Sequence, residues 1–171
     1  MTPRDFVSVG LPLIGSPYVW RGKGLYVWDA IKGLIPNPWG ENVFDCVGLV
    51  THMLWRAGGP DYRASMNADS FWLSPMLTQV SPASLGDFRF YGRPCTRTEA
   101  KKRGSELPLA THIAVSLGGE LVLEAAGAGD DCTSPKDARR LGAGVRVAFD
   151  KRSDLLGTRR LPFNQFQGSH T

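Results

Sequence analysis

The stretch Phe44-Asp45-Cys46-Val47-Gly48-Leu49-Val50-Thr51-His52-Met53-Leu54-Trp55-Arg56-Ala57-Gly58-Gly59 decides how the rest of the sequence is read. Cys46, Leu49, Val50, Met53, Leu54 and Ala57 recur at the 3.6-residue period of a helix that buries one face. Asp45 suits the N-cap and Gly58-Gly59 the stop, so the spacing predicts a helix over 46–57. Cys46 then falls in its first turn. The positive end of the helix dipole favours a thiolate there, and the open backbone N–H groups can receive an oxyanion. A cysteine packed into the apolar face is the competing reading of the same position.

Working outward, the segment before this helix is broken up. Residues 3–14 suggest a short helix with Phe6, Val7, Leu11 and Ile14 on one side, weakened by Pro12. Gly15-Ser16-Pro17 ends it, and Tyr18-Val19-Trp20 reads as a brief extended piece. Residues 22–44 read as a long loop with one helical turn near Trp28–Ile31. Beyond the helix the period changes to two. Strands are predicted at 87–91, 113–117, 121–125 and 145–149, with a short last one at 158–161, and Gly118-Gly119 marks a hairpin. Helices first and strands later predict an α+β fold with an antiparallel sheet of about five strands. No repeat or linker divides residues 1–171, which are read as one domain.

Three cysteines, Cys46, Cys95 and Cys132, form no CxxC pair, and an odd number leaves a free thiol. No His follows them at zinc-ligand spacing, so neither metal nor cofactor is expected. Of the three histidines, His170 lies at the C-terminal end, where disorder is expected. His52 lies on the far side of the helix from Cys46, which suits a structural role. His112 starts a predicted strand and can present its imidazole to the helix N-terminus, although a satisfied strand-end histidine would look the same. Glu124 is the only ionisable residue of the strand across the hairpin. Partners there are expected to sum to about 237, which sets His112 opposite Ala125. A buried carboxylate in so apolar a strand would need a partner.

A net charge of +4, spread along the chain without a recognition motif, predicts no nucleic-acid groove and suits a polyanionic surface equally well. No apolar run is long enough to span a membrane, so no insertion is expected. The first residues do not read as a secretory signal, and delivery by other means is expected.

Ser16-Pro17-Tyr18-Val19-Trp20-Arg21-Gly22, Phe44-Asp45-Cys46-Val47-Gly48-Leu49-Val50, Leu85-Gly86-Asp87-Phe88, His112-Ile113-Ala114-Val115-Ser116-Leu117-Gly118 and Arg159-Arg160 together resemble the NlpC-type cysteine peptidases. The likeness runs from about residue 5 to 163. It implies a papain-like fold and hydrolysis of amide bonds in the peptide stem of bacterial peptidoglycan. Cys46 would be the nucleophile, His112 the base and Glu124 the third member, where the family usually carries His, Asn or Gln. Tyr18, Trp20, Asp45 and Val47 would line the substrate site; Val47 replaces the family's usual Ser. With no evident signal, the resemblance suggests a phage tail or lysis enzyme, with other tail proteins as partners and the virion or host cytoplasm as its place. An antibacterial effector amidase, a non-catalytic tail component and an acyltransferase are the alternatives. Segments 24–42 and 92–110 are extra to the family pattern, and the second carries Arg93, Arg97, Lys101, Lys102 and Arg103. They are expected either to recognise substrate or to be solvated loops.

Overall fold

The computed structural model describes residues 1–127 and 129–166. Helix α1 (Pro3–Gly10) opens with a capping box in which Thr2 and Asp5 bond each other's backbone N–H. It stops earlier than the apolar pattern suggested, because Pro12 is taken into a separate 3-10 turn, Leu11–Leu13. Helix α2 (Cys46–Arg56) matches its expected span within one residue. It buries Leu49, Val50, Met53 and Leu54. Each such side chain contributes about 1.5–3 kcal/mol on leaving water.

Opposite α2 stands one antiparallel sheet. Its strands are β5 (Thr78–Val80), β6 (Phe88–Arg93), β7 (Leu109–Gly118), β8 (Leu121–Ala126), β9 (Gly144–Phe149) and β10 (Leu155–Arg160), in the order β5-β10-β6-β7-β8-β9. There are six strands where about five were expected. The addition is β5, too short to show alternation. Phe88, Phe90, Ile113, Val115 and Leu123 from the sheet join Phe6, Phe44, Phe71 and the α2 residues in the core. The other face holds a smaller cluster of Tyr91, Ala114 and Val122. Arg160, at the end of β10, grips the buried Asp87 with two 2.8 Å bonds and ties the last strand to the start of its neighbour β6.

Three short helices escaped the periodicity: α3 (Ala68–Leu73), α4 (Arg97–Arg103) and α5 (Pro135–Leu141). All begin with a polar cap that is plain in the sequence, at Asn67, Thr96 and Ser134. Segment 24–42 is not a loop with a helical turn. It forms a β-hairpin of β2 (Tyr26–Asp29) and β3 (Gly33–Pro36). The Asp29 carboxylate accepts from the N–H groups of Ile31 and Lys32 and so makes the turn. Two-residue strands β1 (Lys23–Gly24) and β4 (Val43–Phe44) pair at its base and lead the chain into α2. No helix among the described residues is long and apolar enough to cross a membrane.

Candidate active site

Cys46 is held by a crossing of two chain segments. The Gly48 N–H donates to the Asp45 carboxylate, the expected N-cap, and the Leu49 N–H donates to the Asp45 carbonyl. The preceding N–H groups, of Cys46 and Val47, have no acceptor among the described residues. Gly22 passes directly over this turn. Its carbonyl accepts from the Asp45 N–H at 3.1 Å, and a Cβ on Gly48 would lie 1.8 Å from that carbonyl oxygen. Gly48 is therefore required by the close approach and not by helix propensity.

Asp45 is buried and also carries an ion pair. The Lys23 ammonium stands 2.9 and 3.1 Å from its two oxygens and is itself buried. A carboxylate removed from water at the helix start is thus compensated both by the backbone and by a cation. Lys23 was not singled out in the sequence. Only the short β1–β4 pairing brings it beside Asp45, and no local pattern announces that.

His112 and Glu124 meet: Nε2 lies 2.9 Å from Oε2. The register that brings them together differs from the expected one. Val115 pairs with Leu123 and Ser116 with Val122, a sum of 238, after a bulge between Ser116 and Gly118. Because side chains alternate, the sum of 237 would have set His112 and Glu124 on opposite faces, and the extra residue at the bulge returns them to one face. Glu124 is buried, and its other oxygen accepts from Arg146 Nε and Nη2 at 3.1 and 3.0 Å, directly across from it on β9. Arg146 is a second residue not marked in the sequence; an Arg opposite the lone Glu of the neighbouring strand was the available signal.

Burial pulls the His112 imidazolium down, but hydrogen bonds to Cys46 and Glu124, and their charges, outweigh it and raise its pKa to about 9. For Glu124 burial acts upward, and bonds to His112 and Arg146 win and hold it below the ordinary carboxylate range. Both shifts describe one ion pair. With Nε2 engaged by Glu124, Nδ1 is the nitrogen left for the thiol.

Tyr18 is buried with its ring against Gly127, close enough to Cys46 and Asp45 for their charges to raise its pKa beyond the effect of burial. Trp20 is exposed and, with Asp45, Cys46 and buried Val47, lines a cavity of about 780 Å³. The far wall of this cavity comes from α3 and α4. Segment 92–110 is therefore not simply a loop. Its helix α4 is docked by Arg103, which takes the Asp69 carboxylate through two 2.6 Å bonds, while Arg97, Lys101 and Lys102 remain exposed. His52 packs between Phe44 and Trp55, and burial, with Arg63 and Arg56 nearby, pushes it down to about 4. His170 lies outside the described residues. All three cysteines are free. Among the described residues no three His, Cys, Asp or Glu side chains converge on a common metal position.

No protein-family model matches the chain, and no curated protein sequence matches it. Solved structures do. The P60 domain of a M. avium subspecies paratuberculosis antigen superposes with a TM-score of 0.57 at 19% identity, over 93% of either chain. The NlpC/p60 domain of peptidoglycan hydrolase SagA gives 0.55 at 23%, over 93% of this chain and 97% of that one. Peptidoglycan hydrolase RipB of Mycobacterium tuberculosis gives 0.54 at 19%; the match covers 92% of this chain but 62% of RipB. Helices set against an antiparallel sheet, with a cysteine at a helix start facing a strand histidine, make this the papain-like fold of the NlpC/P60 structures.

Proposed function

We propose that this chain is a cysteine hydrolase acting on amide bonds in the stem peptide of bacterial peptidoglycan. The observation that carries the reading is His112 on β7, bonded to Glu124 at 2.9 Å and close enough to Cys46, at the N-terminus of α2, for the thiol to raise its pKa. At neutral pH His112 already holds the proton that the Cys46 thiol gives up, and the sulfur attacks the amide carbonyl. The N–H groups of Cys46 and Val47 face the oxyanion. His112 then returns the proton to the departing amine, and water attacks the thioester to release the acid and regenerate the thiol. Glu124 keeps the ring oriented and stabilises its charged form. Asp45, Tyr18, Val47 and Trp20 bound the acyl side.

The substrate class rests on the fold shared with SagA and RipB, both peptidoglycan hydrolases. Digestion of defined muropeptides, followed by mass spectrometry, tests it. Wild type should cleave one amide bond into an acid fragment and an amine fragment, and Cys46→Ala should cleave none. Equal products from both would overturn the proposal, and amine-linked products would make the enzyme an acyltransferase. The same chemistry serves a phage tail or lysis enzyme and a secreted antibacterial effector, which copurification with virions separates.

A further inference from the structure

The cavity that holds Cys46 is lined by more cations than the chain itself neutralises. Some of them are matched: Lys23 by Asp45, Arg103 by Asp69 and Arg63 by Asp61. Arg21 and Lys102 also line the cavity, and both are exposed. Neither has a carboxylate within ion-pairing distance among the described residues. Asp29 feels the Arg21 charge but turns its carboxylate to the N–H groups of Ile31 and Lys32. A positive surplus therefore faces the space in front of the thiol.

Arg21 is held there under strain. Its φ of +65° is the only left-handed value at a residue other than glycine among the described residues. In that conformation a side chain crowds the backbone, whereas glycine adopts it freely. The Arg21 carbonyl accepts from the Trp28 N–H at 2.9 Å, and the guanidinium lies 5.2 Å over the Trp28 ring. The next residue, Gly22, gives its carbonyl to the Asp45 N–H at the start of α2. Segment 24–42 thus pins Arg21 beside the nucleophile's turn. Lys102 comes from the other extra segment, carried by α4 on the far wall and its Arg103–Asp69 clamp. Strain kept at the rim of a reactive cleft points to a use for the side chain.

We propose that Arg21, with Lys102 on the far wall, holds a free carboxylate of the stem peptide beside the scissile amide, so that the enzyme selects acidic over amidated peptides. A guanidinium gives a carboxylate two parallel charged hydrogen bonds, which a neutral amide cannot match. This inference rests on the hydrolase reading, and two measurements keep them apart. The first compares a defined muropeptide with the same compound after its free carboxylates are converted to amides. Wild type should favour the acid by about tenfold in kcat/KM; Arg21→Gly should bring the ratio to about one, and Lys102→Ala should lower it about twofold. Arg21→Gly should at the same time raise Tm by about 3 °C, because it relieves the strain. The second titrates the uncleaving Cys46→Ala protein with both compounds by calorimetry. Tighter binding of the acid, lost in Cys46→Ala/Arg21→Gly, supports the subsite even if wild type cleaves neither compound, a result that would overturn the hydrolase alone. Equal binding of the two, binding of neither, or an acid preference unchanged in Arg21→Gly overturns the subsite whatever is cleaved. A lower Tm in Arg21→Gly overturns it as well, since the side chain would then serve the fold.

Discussion

Glu124→Gln removes one negative charge from beside His112 and keeps the side chain's length. In the native protein His112 titrates at about 9 against an ordinary 6.5, because its bonds to Cys46 and Glu124 overcome burial. The difference is worth about 3 kcal/mol in favour of the imidazolium in the folded state. Glu124 is one of only two partners that oppose burial, so neutralising it should lower the His112 titration by about one to two pH units. A raised pKa contributes stability that is whole below the unfolded value, 6.5, and is lost as pH rises through about 9. Wild type should thus lose about 2 kcal/mol from this group between pH 7 and pH 9, and Glu124→Gln clearly less. Glu124 itself, held below its ordinary range, contributes above its unfolded value and loses that contribution as the solution is acidified through its folded value. Titration of the histidine ring signals by NMR gives the first readout, with His52 near 4 as the internal contrast. Urea unfolding at pH 7 and pH 9 gives the second. The alkaline limb of kcat/KM should move down with the His112 titration. A His112 titration within about half a unit of wild type in the variant, with its alkaline loss of stability intact, would refute the argument that Glu124 holds the proton on the ring.

Other perturbations bear on the nucleophile's mounting. Lys23→Met leaves Asp45 buried with only its backbone partner and should cost about 3 kcal/mol by chemical denaturation; adding Asp45→Asn should recover part of that, and no cost from the single change would mean the pair is dispensable. Gly48→Ala drives a methyl into the Gly22 carbonyl and should destabilise by about 2–3 kcal/mol while lowering kcat more than it raises KM. Iodoacetamide at neutral pH should label Cys46 first although Cys95 is more exposed, and should spare Cys132, which is wholly buried with its pKa raised by that burial; peptide mapping with Cys95 labelled first would contradict a catalytic setting for Cys46.

Most of the secondary structure that carries the candidate site was legible. The period, cap and glycine stop of α2 are local, and so are the alternation of β6 to β9 and the Gly118-Gly119 turn. What escaped was short or non-local. Helices α3, α4 and α5 span two turns or less, too few for periodicity, although Thr96 and Glu99 spell out a capping box. The Trp28–Ile31 turn was misassigned because Asp29 closes a hairpin and does not cap a helix.

By itself the sequence determined that a cysteine starts an amphipathic helix, that a histidine starts a strand beyond it, and that one glutamate stands alone in the next strand. Those are facts of order, period and local hydrogen bonding, which a chain carries in any conformation. Only the tertiary structure decided that His112 and Glu124 share a face, because one bulged residue reverses the alternation and no propensity places that bulge. Only it brought Lys23 to Asp45, Arg146 to Glu124 and the Gly22 carbonyl onto Gly48. Each of those contacts joins segments whose meeting depends on how the whole sheet and hairpin close. The groups that compensate the buried charges around Cys46 therefore appear only once the chain is folded.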